Sequence, residues 1–414
     1  MSGSHHQIHE SWAVRHRGGV RNVGILALLA ACGFFVLSLH PQELGHVVGD
    51  ANIEVPVRVF DGEKFVDGLT HEDFEVFENG KPQNITALFL IRKANIQKKE
   101  TSGPAAAKLT PEMGRTIVMQ FEVLNPTPKL DEAIDFFFGQ VLQPKDSLTV
   151  ISPRATYRFK PEAMTRLPRR VIAQQLKDKL RKDILAGATE YKRLLRDFRD
   201  VLRLQIGPDQ KLHQLQTVIE QLRNRVGIDE ASLRKTAQAL KAIKGQKYIY
   251  LFYEKELINS VSFGSFGDES LPQEERGLSD MAAADMQRDL TINPKAIGQM
   301  FSDASITAHF IRLTQTTTNA GGLDQEGENA LPTKDLSASI SESFNEMART
   351  TGGISETSAN PLAALQKAAT ATENYYLLYY VPENYKADGS FKEIKVVAKE
   401  KRFRTTNRAG YFAN

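Results

Sequence analysis

Beyond residue 114, short apolar runs alternate with stretches of helical periodicity, and this alternation restricts the available folds more than any other feature of the chain. "TIVMQFEVL" (Thr116–Leu124) leads into an amphipathic segment from Pro128 to Leu142, then "SLTVIS" and "ATYRFK", then helical sequence from about Leu167 to Lys244. "KYIYLFYE" (Lys247–Glu254), "TAHFIRL" (Thr307–Leu313) and "NYYLLYYV" (Asn374–Val381) each follow a helical stretch. Such alternation predicts an α/β fold: a mostly parallel sheet covered by helices on both faces.

The two ends of the chain have a different texture. Residues 51–95 alternate apolar and polar positions in "IEVPVRVF" and "DFEVFENGKPQNITALFLI", with Asn79–Pro82 supplying a turn, and read as an N-terminal β unit. Residues 96–113 lack periodicity and read as a linker. Residues 383–414 contain two more alternating segments, so both ends are expected to pack into one sandwich flanking the α/β region of 114–382. The polar, glycine-containing stretches 258–290 and 314–335 read as surface excursions.

A length of 414 residues implies about two domains. The 53 basic side chains nearly balance the 50 acidic ones, which argues against a chain built to coat nucleic acid. Its single cysteine, Cys32, excludes an internal disulfide and a cysteine zinc site. Cys32 lies within "VGILALLAACGFFVLSL", Val23–Leu39, seventeen residues without a charge, preceded by Arg15, Arg17 and Arg21. Residues 1–22 read as a cytoplasmic or disordered tail, and the basic flank predicts that the remainder of the chain is exported. Segment 23–39 reads as an uncleaved membrane anchor, a cleaved signal peptide or a lipoprotein signal at Leu29–Cys32. The protein is thus expected to be anchored at the inner membrane facing the periplasm or extracellular side, or secreted.

Particular motifs lie at both ends of the exported region. Gly68-Leu69-Thr70, Asp73-Phe74, Val76 and Glu78-Asn79-Gly80 open it. Phe344–Gly353, Tyr375–Pro382, Gly389, Phe391-Lys392, Ile394–Val396 and Arg408–Phe412 close it. Together they resemble the bacterial von Willebrand factor A-related proteins known from acidobacteria, over about residues 52–413. The resemblance implies a doubly wound, mostly parallel sheet of von Willebrand A type plus a small β-sandwich built from N- and C-terminal strands.

Such domains commonly hold Mg²⁺ or Mn²⁺ at the carboxyl ends of their strands through an Asp-x-Ser-x-Ser loop, a threonine and a later aspartate. Hard cations of this kind take oxygen ligands. Carried onto this chain, the loop falls on Glu122–Thr127, with Glu122 for the aspartate and Leu124 and Pro126 where hydroxyls would stand. Thr189 in "LAGATEYKRLL" would supply the threonine and Glu254 the second acid. The resemblance therefore implies a degenerate metal motif of Glu122, Thr189 and Glu254, with Asn125 and Thr127 as further binding candidates. Thr127 and Pro128 also read as an N-cap and first helical residue, which would give that hydroxyl a structural task.

No His-Glu-x-x-His, Gly-x-Ser-x-Gly or Walker-type phosphate loop occurs in the chain, and His213 and His309 stand alone. Met164–Leu204 carries twelve Lys/Arg against five Asp/Glu among helically spaced leucines, a pattern that predicts a solvated amphipathic helix. Five tyrosines within Tyr375–Tyr385 suit a packed strand better than a binding strip. The expected function is a non-enzymatic, envelope-exposed adhesion or protein–protein interaction module that binds a protein partner and no nucleic acid, without a working metal site. The competing expectations are a Mg²⁺- or Mn²⁺-dependent adhesion domain and a hydrolase with an unrecognised carboxylate pair.

Overall fold

The computed structural model describes residues 52–102, 104–226, 230–254, 292–314, 337–383 and 385–414. The tail 1–22, segment 23–39, all of 258–290 and nearly all of 314–335 lie outside the described residues. Among the described residues, no helix is long and apolar enough to cross a membrane.

In chain order the first strands are β1 (Ile53–Asp61), β2 (Lys64–Phe65), β3 (Phe74–Glu78), β4 (Lys81–Gln83), β5 (Ile85–Arg92) and β6 (Asn95–Thr101). Next come α1 (Pro104–Ala107), β7 (Thr116–Glu122), α2 (Pro128–Phe136), β8 (Ser147–Ile151), β9 (Thr156–Phe159) and α3 (Pro161–Met164). Then follow α4 (Arg169–Arg203), α5 (Pro208–Val226), α6 (Glu230–Lys241), β10 (Lys247–Tyr253), α7 (Pro294–Asp303), β11 (Ile306–Leu313) and α8 (Ser337–Thr351). The last are β12 (Ser355–Ser358), α9 (Pro361–Glu373), β13 (Asn374–Tyr380), β14 (Phe391–Ala398), β15 (Arg404–Asn407) and β16 (Gly410–Phe412).

These strands form three sheets. One is mixed, in the order β12-β11-β10-β7-β8-β9; its inner pairings are parallel and β9 is antiparallel to β8. A second runs β15-β1-β13-β5-β6 with β2 beside β1, and a third runs β16-β14-β3-β4. Every pairing in these two is antiparallel.

This arrangement corrects the expected fold class. Of 13 strand pairings, four are parallel and nine antiparallel. The chain is therefore not a doubly wound, mostly parallel sheet of von Willebrand A type with a small β unit attached, because antiparallel sheets contribute most of its strands. Strand β13 shows why the sequence misled. Its run of apolar residues after a helix looks like the next parallel strand, yet it lies between β1 and β5 and is antiparallel to both. Burial on two faces produces the same composition in either setting. Residues 96–101, expected within a linker, belong to the edge strand β6.

Local chemistry explains many element boundaries. Asn79 and Gly80 adopt φ of 50° and 79° in the two-residue turn between β3 and β4, where a left-handed backbone suits Asn-Gly. Thr127, Asn293 and Asn360 each cap a helix whose first residue is proline. In each case the side-chain oxygen accepts from an amide of the first turn, while proline sacrifices only a donor the helix would not use.

The mixed sheet is packed on both faces. Met119, Phe121, Tyr250 and Phe252 meet α2, α4 and α9 through Leu130, Ile134, Ile172, Leu176 and Leu365. Val118, Ile249, Leu251 and Phe310 meet α6, α7 and α8 through Leu233, Ile297, Phe301 and Phe344. The antiparallel sheets face each other across Val55, Val57, Leu88, Tyr376 and Leu378 on one side and Phe74, Val76, Ile394 and Val396 on the other. Tyr376 and Tyr380 of β13 pack in this interface, while Tyr375 and Tyr379 pack on the opposite face with Phe89 and Ile91. Tyr376 donates to the Val66 carbonyl (3.1 Å), Tyr379 to Glu54 (2.9 Å) and Tyr380 to Glu78 (2.7 Å).

Buried polar groups join the sandwich to the mixed-sheet body. Arg408 donates to the carbonyls of Ser302 (2.9 Å) and Glu54 (2.7 Å), and Ser302 exchanges two hydrogen bonds with the Gly410 backbone. Arg58, on β1, donates to the Gly352 carbonyl and to the Thr307 hydroxyl (3.3 Å). Because buried donors without acceptors are costly, these pairings fix one orientation of the sandwich on the body.

Candidate functional site

The carboxyl end of β7 continues into Val123–Thr127, and β10 ends beside it. Glu254 follows the last residue of β10, and its amide donates to the Glu122 carbonyl (2.9 Å). That bond extends the parallel ladder by one step and turns the Glu254 side chain, only 7% exposed, toward the neighbouring loop.

There the carboxylate is held by three donors. Its Oε2 accepts from the amides of Leu124 (2.9 Å) and Asn125 (3.0 Å), and its Oε1 accepts from Asn125 Nδ2 (3.0 Å). Two successive amides aimed at one oxygen form an anion-holding nest, and the charge strengthens each bond. Glu254 thus acts as an internal counter-charge that shapes the loop.

The remaining sequence candidates are distributed differently. Glu122 is half-buried at the end of β7, and its Oε1 accepts from Gln120 Nε2 (2.9 Å). Thr127 is exposed and caps α2, its hydroxyl accepting from the Leu130 amide (3.3 Å). Thr189 is a correction. It sits inside the 35-residue helix α4, exposed, donating its hydroxyl to the Leu185 carbonyl (2.8 Å). "LAGAT" resembled a turn into a helix because glycine usually marks such turns. Here Gly187 is helical, and a side chain at that position would meet Pro153 at 3.0 Å, so the glycine serves close packing.

The structure therefore joins Asn125 to the Glu254 carboxylate, links Glu122 to Glu254 through its backbone carbonyl, and places Thr189 within α4 with its hydroxyl on the Leu185 carbonyl. Magnesium would need about six oxygen ligands in near-octahedral geometry. Leu124 and Pro126 offer no side-chain oxygen, and the Glu254 oxygens already serve protein donors, so this residue set does not fit such an ion. Among the described residues, no group of three or more His, Cys, Asp or Glu side chains gathers as a metal ligand set.

Two further polar constellations lie away from this loop, and the first escaped the sequence reading. At the end of β8, Asp183 accepts from the Ser152 hydroxyl (2.5 Å) and from Tyr157 (2.7 Å), and burial together with that carboxylate raises the Tyr157 pKa. Ser152 and Asp183 lie 31 residues apart and no motif links them. The second surrounds His309, fully buried and stacked on Tyr250 with ring centroids 4.9 Å apart. Its Nδ1 accepts from the Ile354 amide (3.2 Å), whereas Nε2 has no partner among the described residues, so the ring is only half satisfied. Burial and the Arg58 charge push its pKa down to about 3.

These features define a mixed α/β body fused to an antiparallel sandwich, with a carboxylate-clamped loop at the carboxyl end of its central strands. Comparison with protein-family models, curated proteins and solved structures finds no match. The resemblance to von Willebrand A-related proteins accordingly rests on the terminal sequence motifs.

Proposed function

We propose that the protein is a non-enzymatic recognition module of the cell envelope, which presents the loop around Leu124–Thr127 to a protein partner without using a metal. The observation that carries this reading is the Glu254 clamp: three hydrogen bonds make the loop a preformed surface and commit the acid that a cation would need. Preformed loops bind with a smaller ordering cost. The apolar segment Val23–Leu39, next to three arginines, supports export and a membrane tether.

Crosslinking in the native envelope tests the reading. The full chain is expected to capture a protein partner, and Asn125→Ala together with Thr127→Ala is expected to reduce capture. Recovery of the chain alone would sink the proposal.

A further inference from the structure

A concavity of about 360 Å³ opens where α8 ends against the sandwich, far in sequence from the Glu254 loop. Its lining includes Asn345 and Arg349 of α8, Gly352 in the following turn, Ser355 of β12, and Thr406 and Asn407 of β15. Two distant parts of the chain, 345–355 and 405–407, thus converge, and the volume lies at the lower end of the ~300–1,000 Å³ range of small-molecule pockets.

The charge balance of this pocket is one-sided. Arg349 is exposed, makes no ion pair among the described residues, and no acid lines the cavity. Behind Gly352 lies the Arg58 guanidinium, 3% exposed, whose donors go to a carbonyl and a hydroxyl, and its Nε has no partner. No carboxylate neutralises that second cation. A helix C-terminus would ordinarily oppose an anion through its free carbonyls. Here three of the last carbonyls accept hydrogen bonds: Ala348 from Gly353, Arg349 from Gly352 and Thr350 from Ala409. Gly352 itself accepts from Arg58. Arg349 in the lining and Arg58 behind Gly352 thus give this wall two cations with no acid in the lining.

From these observations we infer that the cavity binds a small hydroxylated carboxylate, about the size of one sugar acid. The fork of Arg349 suits a carboxylate held by two parallel hydrogen bonds. Asn345, Ser355 and Thr406 surround it with amide and hydroxyl groups able to pair with ligand hydroxyls. Asn407 is already engaged, its Nδ2 donating to the carbonyls of Ile394 (3.2 Å) and Arg408 (2.8 Å), so it serves as wall.

Calorimetric titration of the full-length chain with D-galacturonate, D-galactose and sulfate tests this site independently of partner capture. Galacturonate is expected to give saturable heat and galactose none, with Arg349→Ala weakening binding about tenfold or more and Arg349→Lys falling between. Since Arg349 is exposed, the variants should keep the parent unfolding temperature. Equal binding of galactose, equal binding of sulfate, no galacturonate heat, or full affinity in Arg349→Ala would each overturn the assignment.

Discussion

Glu254 and Asn125, 129 positions apart, share two hydrogen bonds: the Asn125 amide donates to Oε2 and Nδ2 to Oε1 of the Glu254 carboxylate, each at 3.0 Å, and the adjacent Leu124 amide adds a third donor to Oε2 at 2.9 Å. Removing the acid leaves buried donors without an acceptor. Glu254→Ala is expected to lower stability by about 2–4 kcal/mol, and Glu254→Gln by less because it retains an acceptor. Urea unfolding measures both, and an unchanged midpoint in Glu254→Ala would remove the clamp from the account.

Because that carboxylate already serves the protein, Mg²⁺ or Mn²⁺ at millimolar concentration is expected to produce no shift in unfolding temperature. A shift that disappears in Glu122→Gln would favour the cation-dependent adhesion reading instead.

Thr127 is worth testing as a cap. Thr127→Ala should cost about 1 kcal/mol and Thr127→Asp should preserve stability, since an aspartate oxygen accepts from the same amide and complements the helix dipole. Equal losses in both variants would point to another role.

Thr189 lies on the solvent side of α4, and Thr189→Ala is expected to change stability by no more than about 0.5 kcal/mol. It should also leave partner capture unaltered. Loss of capture in this variant would show that the exposed flank of α4 belongs to the interface.

His309 predicts a pH dependence. Its folded pKa is pushed down to about 3, whereas an unfolded imidazole titrates near ~6.5. Between those values the unfolded chain binds more protons, so this contribution is complete above ~6.5 and is lost as pH falls toward 3. Stability measured across that window should fall more steeply for the parent than for His309→Gln. Parallel curves would show that the ring does not titrate as its burial requires.

What could be read along the chain was local. The alternation of β1, β3, β5 and β14, the Asn79-Gly80 turn, the Thr127-Pro128 cap and the amphipathic α4 depend on near neighbours, so their side-chain chemistry specifies them. The meeting of both chain ends was legible for the same reason, since alternating segments need a partner face. "LAGAT" was the exception, because a glycine in a helix and a glycine in a turn carry the same letter.

The sequence by itself determined the alternation of β1, β3, β5 and β14 and the amphipathic α4, that Leu124 and Pro126 offer no side-chain oxygen to a cation, and that residues 23–39 are uncharged. Tertiary structure alone decided that β13 joins the antiparallel sheet, that Glu254 holds the Leu124–Asn125 loop, and that Arg58 reaches the turn at Gly352 across 294 positions. The physical reason is one of range. Strand propensity and capping act over a few residues, whereas sheet order and buried hydrogen-bond partners arise only once distant segments exclude water together.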